Sequence, residues 1–136
     1  LFGVRTIKRG KKTSNQNGQT VVELALLLPF LLLIVFAIID FGFIMHSYII
    51  VTQSAREGAR AGAFGDTDAQ IIGVAQAAAN TLPAQRVNVY INPSGVRSSG
   101  STVTVKVVYE YSTLTPVLHQ LWPSVDVSAT VNMRVE

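Results

Sequence analysis

The chain has 136 residues, 49% of them hydrophobic and only 14% charged, with a net charge of +3 and no cysteine. That length allows one modest domain, and the missing cysteines exclude disulfides, thiolate metal sites and a cysteine nucleophile. The basic balance belongs to a leader: Arg5, Lys8, Arg9, Lys11 and Lys12 stand without an acid, whereas residues 21–136 hold six basic and eight acidic side chains, so membrane topology explains the charge better than nucleic-acid binding.

Residues 1–20 are polar and basic, and they lack apolar periodicity beyond the first few positions. They predict a flexible cytoplasmic leader. From Leu24 to Ile39 the chain is apolar apart from Pro29, and the wider run Val21–Met45 is interrupted only by Glu23, Pro29 and Asp40. As a helix this run is about 37 Å long, enough to cross a ~30 Å hydrocarbon core with some tilt. A single span in lipid must be helical, because every peptide group has to be bonded within the segment. The positive leader predicts the N-terminus inside and the body outside.

A helical stripe continues beyond the apolar run. Tyr48, Ile49, Val51, Thr52, Ala55, Ala59 and Gly62 recur at three- and four-residue steps, so the helix is expected to reach about residue 61 and stop in Gly62 and Gly65. A second helix is expected over 66–82, capped by Asp66 or Asp68 and ended by Pro83. The period then changes to two. Val87, Val89 and Ile91 alternate with polar residues, as do Val103 to Tyr111 and Val125 to Val135. This predicts an antiparallel sheet with one buried face. Asn92-Pro93-Ser94-Gly95 predicts a turn. Residues 112–124 form a long connection with a helical turn near 117–121, and Trp122 is expected in the core or at the edge of the small domain. The fold class is α+β: a long N-terminal helix, a short helix and a three- to four-stranded antiparallel sheet.

The acids of the apolar run need an account, because a carboxylate inside a span is costly. Glu23 has two readings. It sits in the first turn of the span, where the helix dipole favours an acid, or it has a function set by its neighbours. Gly18-Gln19-Thr20-Val21-Val22-Glu23, between a basic leader and a membrane helix, resembles the processing site of type IV prepilins. That resemblance implies cleavage after Gly18 by a membrane aspartyl peptidase, a new α-ammonium at Gln19, and Glu23 as fifth residue of the mature chain. In a bundle of such helices Glu23 would pair with a neighbour's ammonium and select one axial register. An ordinary signal peptide competes, but its apolar region should be shorter, and the nearest small-x-small site, Ala59-Arg60-Ala61, lies far downstream. Pro29 removes one helix hydrogen bond and should bend the helix. Asp40 is either an acid at the outer interface or a partner contact. Arg56 and Arg60 share one helix face with Glu57 between them. They form a solvated face near lipid phosphates, or they dock to the sheet or a neighbouring subunit, with Gly58 and Gly62 allowing close approach.

Taken in order, Glu23-Leu24-Ala25-Leu26-Leu27-Leu28-Pro29, Asp40-Phe41-Gly42 and Ser54-Ala55-Arg56-Glu57-Gly58-Ala59-Arg60 resemble the TadE-like family, minor pseudopilins of the tight-adherence pilus system. The resemblance covers roughly residues 18–62. It implies a leader over 1–18, a transmembrane and assembly helix over 19–62 and an exported domain over 63–136. It also implies a single-pass protein of the cytoplasmic (inner) membrane that supports pilus assembly, adherence and biofilm formation. The implied partners are a major pilin, other pseudopilins, a prepilin peptidase and the inner-membrane assembly platform. The alternative is a permanently anchored exported binding module that never enters a filament.

No catalytic constellation is expected. His46 and His119 have no metal-like spacing to a second ligand, Ser124 and Asp126 near His119 do not make a triad, and no phosphate loop occurs. No cofactor, metal, nucleic acid or small-molecule substrate is implied.

Overall fold

The structure is a computed structural model that describes residues 2–3 and 15–136. The basic residues of the expected leader, Arg5 to Lys12, lie outside the described residues. The element order is α1 (Asn15–Ala63), α2 (Asp68–Ala78), a 3₁₀ turn (Ala84–Arg86), β1 (Val87–Asn92), β2 (Thr102–Ser112), α3 (Pro116–Leu121) and β3 (Ser124–Arg134). This is the expected α+β class, with a three-stranded antiparallel sheet in the order β1-β2-β3.

Helix α1 begins at Asn15, ahead of the expected leader boundary, so Gly18 and Gln19 are helical. No proline precedes Pro29, and propagation of an existing helix gains one hydrogen bond per residue fixed. Pro29 lies inside the helix and supplies no N–H to the carbonyl of Ala25. The chain divides into two compact units, one ending at Val35 and one running from Phe36 to Glu136. In the first, every side chain from Gly18 to Val35 is exposed.

In the second unit α1 acquires a buried stripe: Asp40, Ser47, Ile50, Val51, Ser54, Ala55, Gly58, Ala59 and Gly62. Steps of three and four place these on one face. The face meets both β2 and α2. A Cβ built at Gly58 would lie 3.2 Å from Val105 and 3.3 Å from Ala75, and one at Gly62 would lie 3.1 Å from Val103 and 3.2 Å from Ile71. The backbone of α1 therefore packs directly on neighbouring side chains at both glycines. Buried Ser54 donates to the Ala75 carbonyl at 2.7 Å and ties α1 to α2.

The helix closes in the expected glycine region. Gly65 takes φ +88°, with Gly65 N–H donating to the Gly62 carbonyl and Asp66 N–H to the Ala61 carbonyl. This is the Schellman arrangement, and its left-handed position is why glycine is needed there. The N–H of Glu136 caps the Ala63 carbonyl, so the chain end is fastened to the helix end.

Two helix boundaries differ from expectation. The cap of α2 is Thr67, not Asp66 or Asp68, in a reciprocal capping box with Gln70. Thr67 and Gln70 have the spacing that lets each side chain reach the other's backbone N–H. Asp68 is the first helical residue, and α2 stops at Ala78, before Pro83. The three residues after Pro83 form the 3₁₀ turn instead.

The alternation in the strands is as expected. Val103, Val105, Val107, Tyr109 and Tyr111 of β2 are buried, and they pair with Val87, Val89 and Ile91 of β1 and with Val125 to Met133 of β3. Trp122, expected in the core or at its edge, is 62% exposed.

Gly62→Val is expected to destabilise the folded unit by about 1–3 kcal/mol, since its methyl groups would overlap Val103 and Ile71. Gly73→Ala, where a Cβ meets nothing within 4 Å, is expected to stabilise α2 by about 0.5–1 kcal/mol. Urea unfolding of the detergent-solubilised chain, followed by circular dichroism, measures both.

Candidate functional site

The site residues expected at the start of α1 lie at its surface. Gly18, Gln19 and Glu23 are exposed on the helix, and a Cβ at Gly18 would meet nothing within 4 Å. The segment is helical where the expected cut falls and open to an approaching partner. Leu24, Leu26, Leu27, Phe30, Leu31 and Ile34 are exposed around it. Among the described residues, one helix is long and apolar enough to cross a membrane, with a mean hydropathy of 2.9 over its best window.

Asp40 behaves differently from the exposed acid at Glu23. It is only 3% exposed. Its Oδ1 accepts from the Tyr111 hydroxyl at 2.9 Å and from the Leu114 N–H at 3.0 Å. Its Oδ2 accepts from the Thr115 hydroxyl at 2.5 Å and the Thr115 N–H at 3.4 Å. The acid that sequence reasoning took for an interfacial group or a partner contact is thus taken up inside the chain. Four donors offset the cost of removing a carboxylate from water. Burial, and then the hydrogen bond to Asp40, push the Tyr111 phenol up to about 12. Tyr111 therefore stays a donor at any physiological pH.

Tyr111 and Thr115 were not singled out as site residues. Sequence separations of 71 and 75 residues hide the contacts. The available signal is indirect. An acid in an apolar run requires a partner, and a strand that buries a tyrosine must find one for its hydroxyl.

Arg56, Glu57 and Arg60 lie on the exposed face of α1, opposite in role to Gly58 between them, which faces the sheet and α2. The glycine is the residue of this motif that docks within the chain. The Arg60 guanidinium sits 5.9 Å from the Phe64 ring centroid. All three charged side chains are exposed.

A second polar network fastens the turn after β1 to the start of α2. Asp68 accepts from the Gly95 N–H at 2.8 Å and pairs with Arg97, which also donates to the Asp66 and Pro93 carbonyls. The Gly95 N–H foremost, and then Arg97, hold the Asp68 carboxyl below the usual range. A hollow of about 430 Å³ lies beside this network. The polar groups named here are engaged with one another, and their role is to join the turn to the helix.

Residues 18–60 match the TadE-like protein family. The match takes in Gly18, Glu23, Pro29, Asp40 and the Ala55-Arg56-Glu57-Gly58-Ala59-Arg60 motif, the same stretch on which the resemblance rests. The TadE-like segment runs through the exposed apolar part of α1 and on through the part that packs against β2. No curated protein and no solved structure matches the chain.

Within the TadE-like segment Asp40 offers the sharpest structural test. Asp40→Ala leaves the hydroxyls of Tyr111 and Thr115 without their acceptor. It is expected to cost about 1.5–3 kcal/mol and to make the 112–124 connection susceptible to protease. Limited proteolysis in detergent, with fragments identified by mass, checks this.

Proposed function

We propose that the chain is a minor pilin-like subunit of a tight-adherence pilus. It is anchored in the cytoplasmic membrane by α1, cut after Gly18 by a prepilin peptidase, and it supports pilus assembly, adherence and biofilm formation. The observation that carries this reading is the TadE-like match over 18–60 on a helix whose apolar side chains from Val21 to Val35 are all exposed. A helix with an apolar surface all round is suited first to lipid and then to other helices of the same kind.

The proposed roles derive from position. Gly18 and Gln19 flank the cut. Glu23 meets the α-ammonium of a neighbouring subunit, and the need to pair a carboxylate away from water selects one axial register between helices. Pro29, exposed inside the helix, contacts a partner in the assembly. Arg56, Glu57 and Arg60, exposed beyond Asp40, contact other pseudopilins, the major pilin or the assembly platform. The leader stays inside and the folded unit is exported, as the positive residues before Gly18 favour.

The N-terminus of the protein from cells that contain the peptidase tests the reading. A mature chain beginning at Gln19, and loss of processing in Gly18→Ala, are the expected results by intact mass. A mature chain that keeps Lys8 to Lys12 would contradict processing and favour a permanently anchored binding module.

A further inference from the structure

The connection between β2 and β3 is rigidly held yet turns its apolar side chains outward. Leu114, Val117, Leu121 and Trp122 are 69%, 52%, 64% and 62% exposed. This is not a slack loop. Thr113 donates to the Trp122 carbonyl at 2.9 Å, and the N–H groups of His119 and Trp122 close the turn of α3 onto Thr115 and Leu118. Leu114 and Thr115 are bonded to Asp40 through their backbones, and Thr115 through its hydroxyl as well. The start of the connection, Leu114 and Thr115, is thus held at the helix position where the apolar run Leu24–Ile39 ends, and the sequence neighbours of Asp40 there, Ile39 and Phe41, are exposed. No Asp, Glu, Lys or Arg occurs between Glu110 and Asp126.

We propose that this connection is a membrane-interface wedge. It lies in the headgroup region of the bilayer that α1 crosses, on the side of the folded unit, with Leu114, Val117, Leu121 and Trp122 at the acyl boundary. Three observations point to lipid rather than protein as the occupant. The tether to Asp40 puts the wedge at the end of the apolar run. The absence of fixed charge means that no ionised group has to leave water. The exposed tryptophan after α3 has the amphipathic ring that favours the interface. Asp40 then has a second consequence: it sets how close the folded unit rides to the membrane. The proposal rests on the membrane-anchored reading of α1.

Trp122 is the sole tryptophan of the chain, so its fluorescence reports this site alone. The full chain is reconstituted in vesicles of phosphatidylcholine and phosphatidylglycerol, some carrying bromine on the acyl chains near the headgroup. The expected result is loss of most Trp122 emission to the brominated lipid, with weak quenching by aqueous acrylamide. Leu114→Ser combined with Leu121→Ser should reverse both while the circular dichroism stays unchanged. Emission quenched by acrylamide and untouched by bromine overturns the proposal, and so does emission shielded from both, which would mean protein cover by a second copy. A Phe30→Trp chain that also carries Trp122→Phe separates the two readings. Quenching of that tryptophan by deep bromines shows that α1 is inserted, so a negative result at Trp122 then counts against the wedge alone. If that tryptophan is not quenched, the anchoring itself has failed, and the wedge with it.

Discussion

The Asp40 carboxylate is the fixed point of this structure. Four donors from Tyr111, Leu114 and Thr115 converge on it. They come from the end of the central strand and from the connection after it. One acid on α1 therefore locates the sheet along the helix. From Asp40 onward the helix carries a buried stripe, and before it the described side chains of 18–39 are exposed apart from partly covered Ala37. The same helix thus has two kinds of surface, and Asp40 is the first residue of the buried stripe.

Beyond Asp40, side-chain size governs how α1 packs. Ser47, Ser54, Ala55, Gly58, Ala59 and Gly62 line the packed face, and large side chains there would hold the helix away from β2. Close approach brings Val103, Val105 and Val107 to complete burial. Burying valines on the middle strand of three gives a small sheet a core without disulfides. The far end is closed by the Gly65 turn and by Glu136 bonded to the helix terminus. The Ala55–Arg60 motif thus combines two jobs that alternate along the helix. Its alanines and glycine pack inward, and its charged residues face out.

Much of this fold was legible because periodicity is a local property. The three strands and their buried faces arise from period-two patterns that no distant contact has to override. The long helix and its glycine stop were legible for the same reason. The failures are equally physical. Thr67 caps α2 because of its reciprocal bond with Gln70, which the neighbouring aspartates obscured. Pro83 could mark only the latest possible end of α2, and the helix stopped earlier. Trp122, expected in the core or at the edge of the small domain, is 62% exposed. The partners of Asp40 were the least legible feature. They are 71 to 75 residues away, and the sequence signals such a pairing only indirectly, through an acid and a buried tyrosine that each need a partner. The residues at the proposed cut and assembly surface, Gly18, Gln19 and Glu23, were legible as a pattern, and their exposure on the helix is compatible with it.

On the proposed membrane-anchored reading, α1 changes its surroundings at Asp40, from lipid before it to a folded unit in water after it. The chain has no cysteine, so single cysteines along the exposed positions of α1 report one site each. Alkylation with a membrane-impermeant maleimide, in vesicles with the folded unit outward, measures the change directly. Cysteines at Leu31, Ile34 and Ile38 should be protected, and those at Tyr48, Ile49 and Gln53 should react. Reaction at Leu31 and Ile34, or protection that persists through Tyr48 and Gln53, would contradict it.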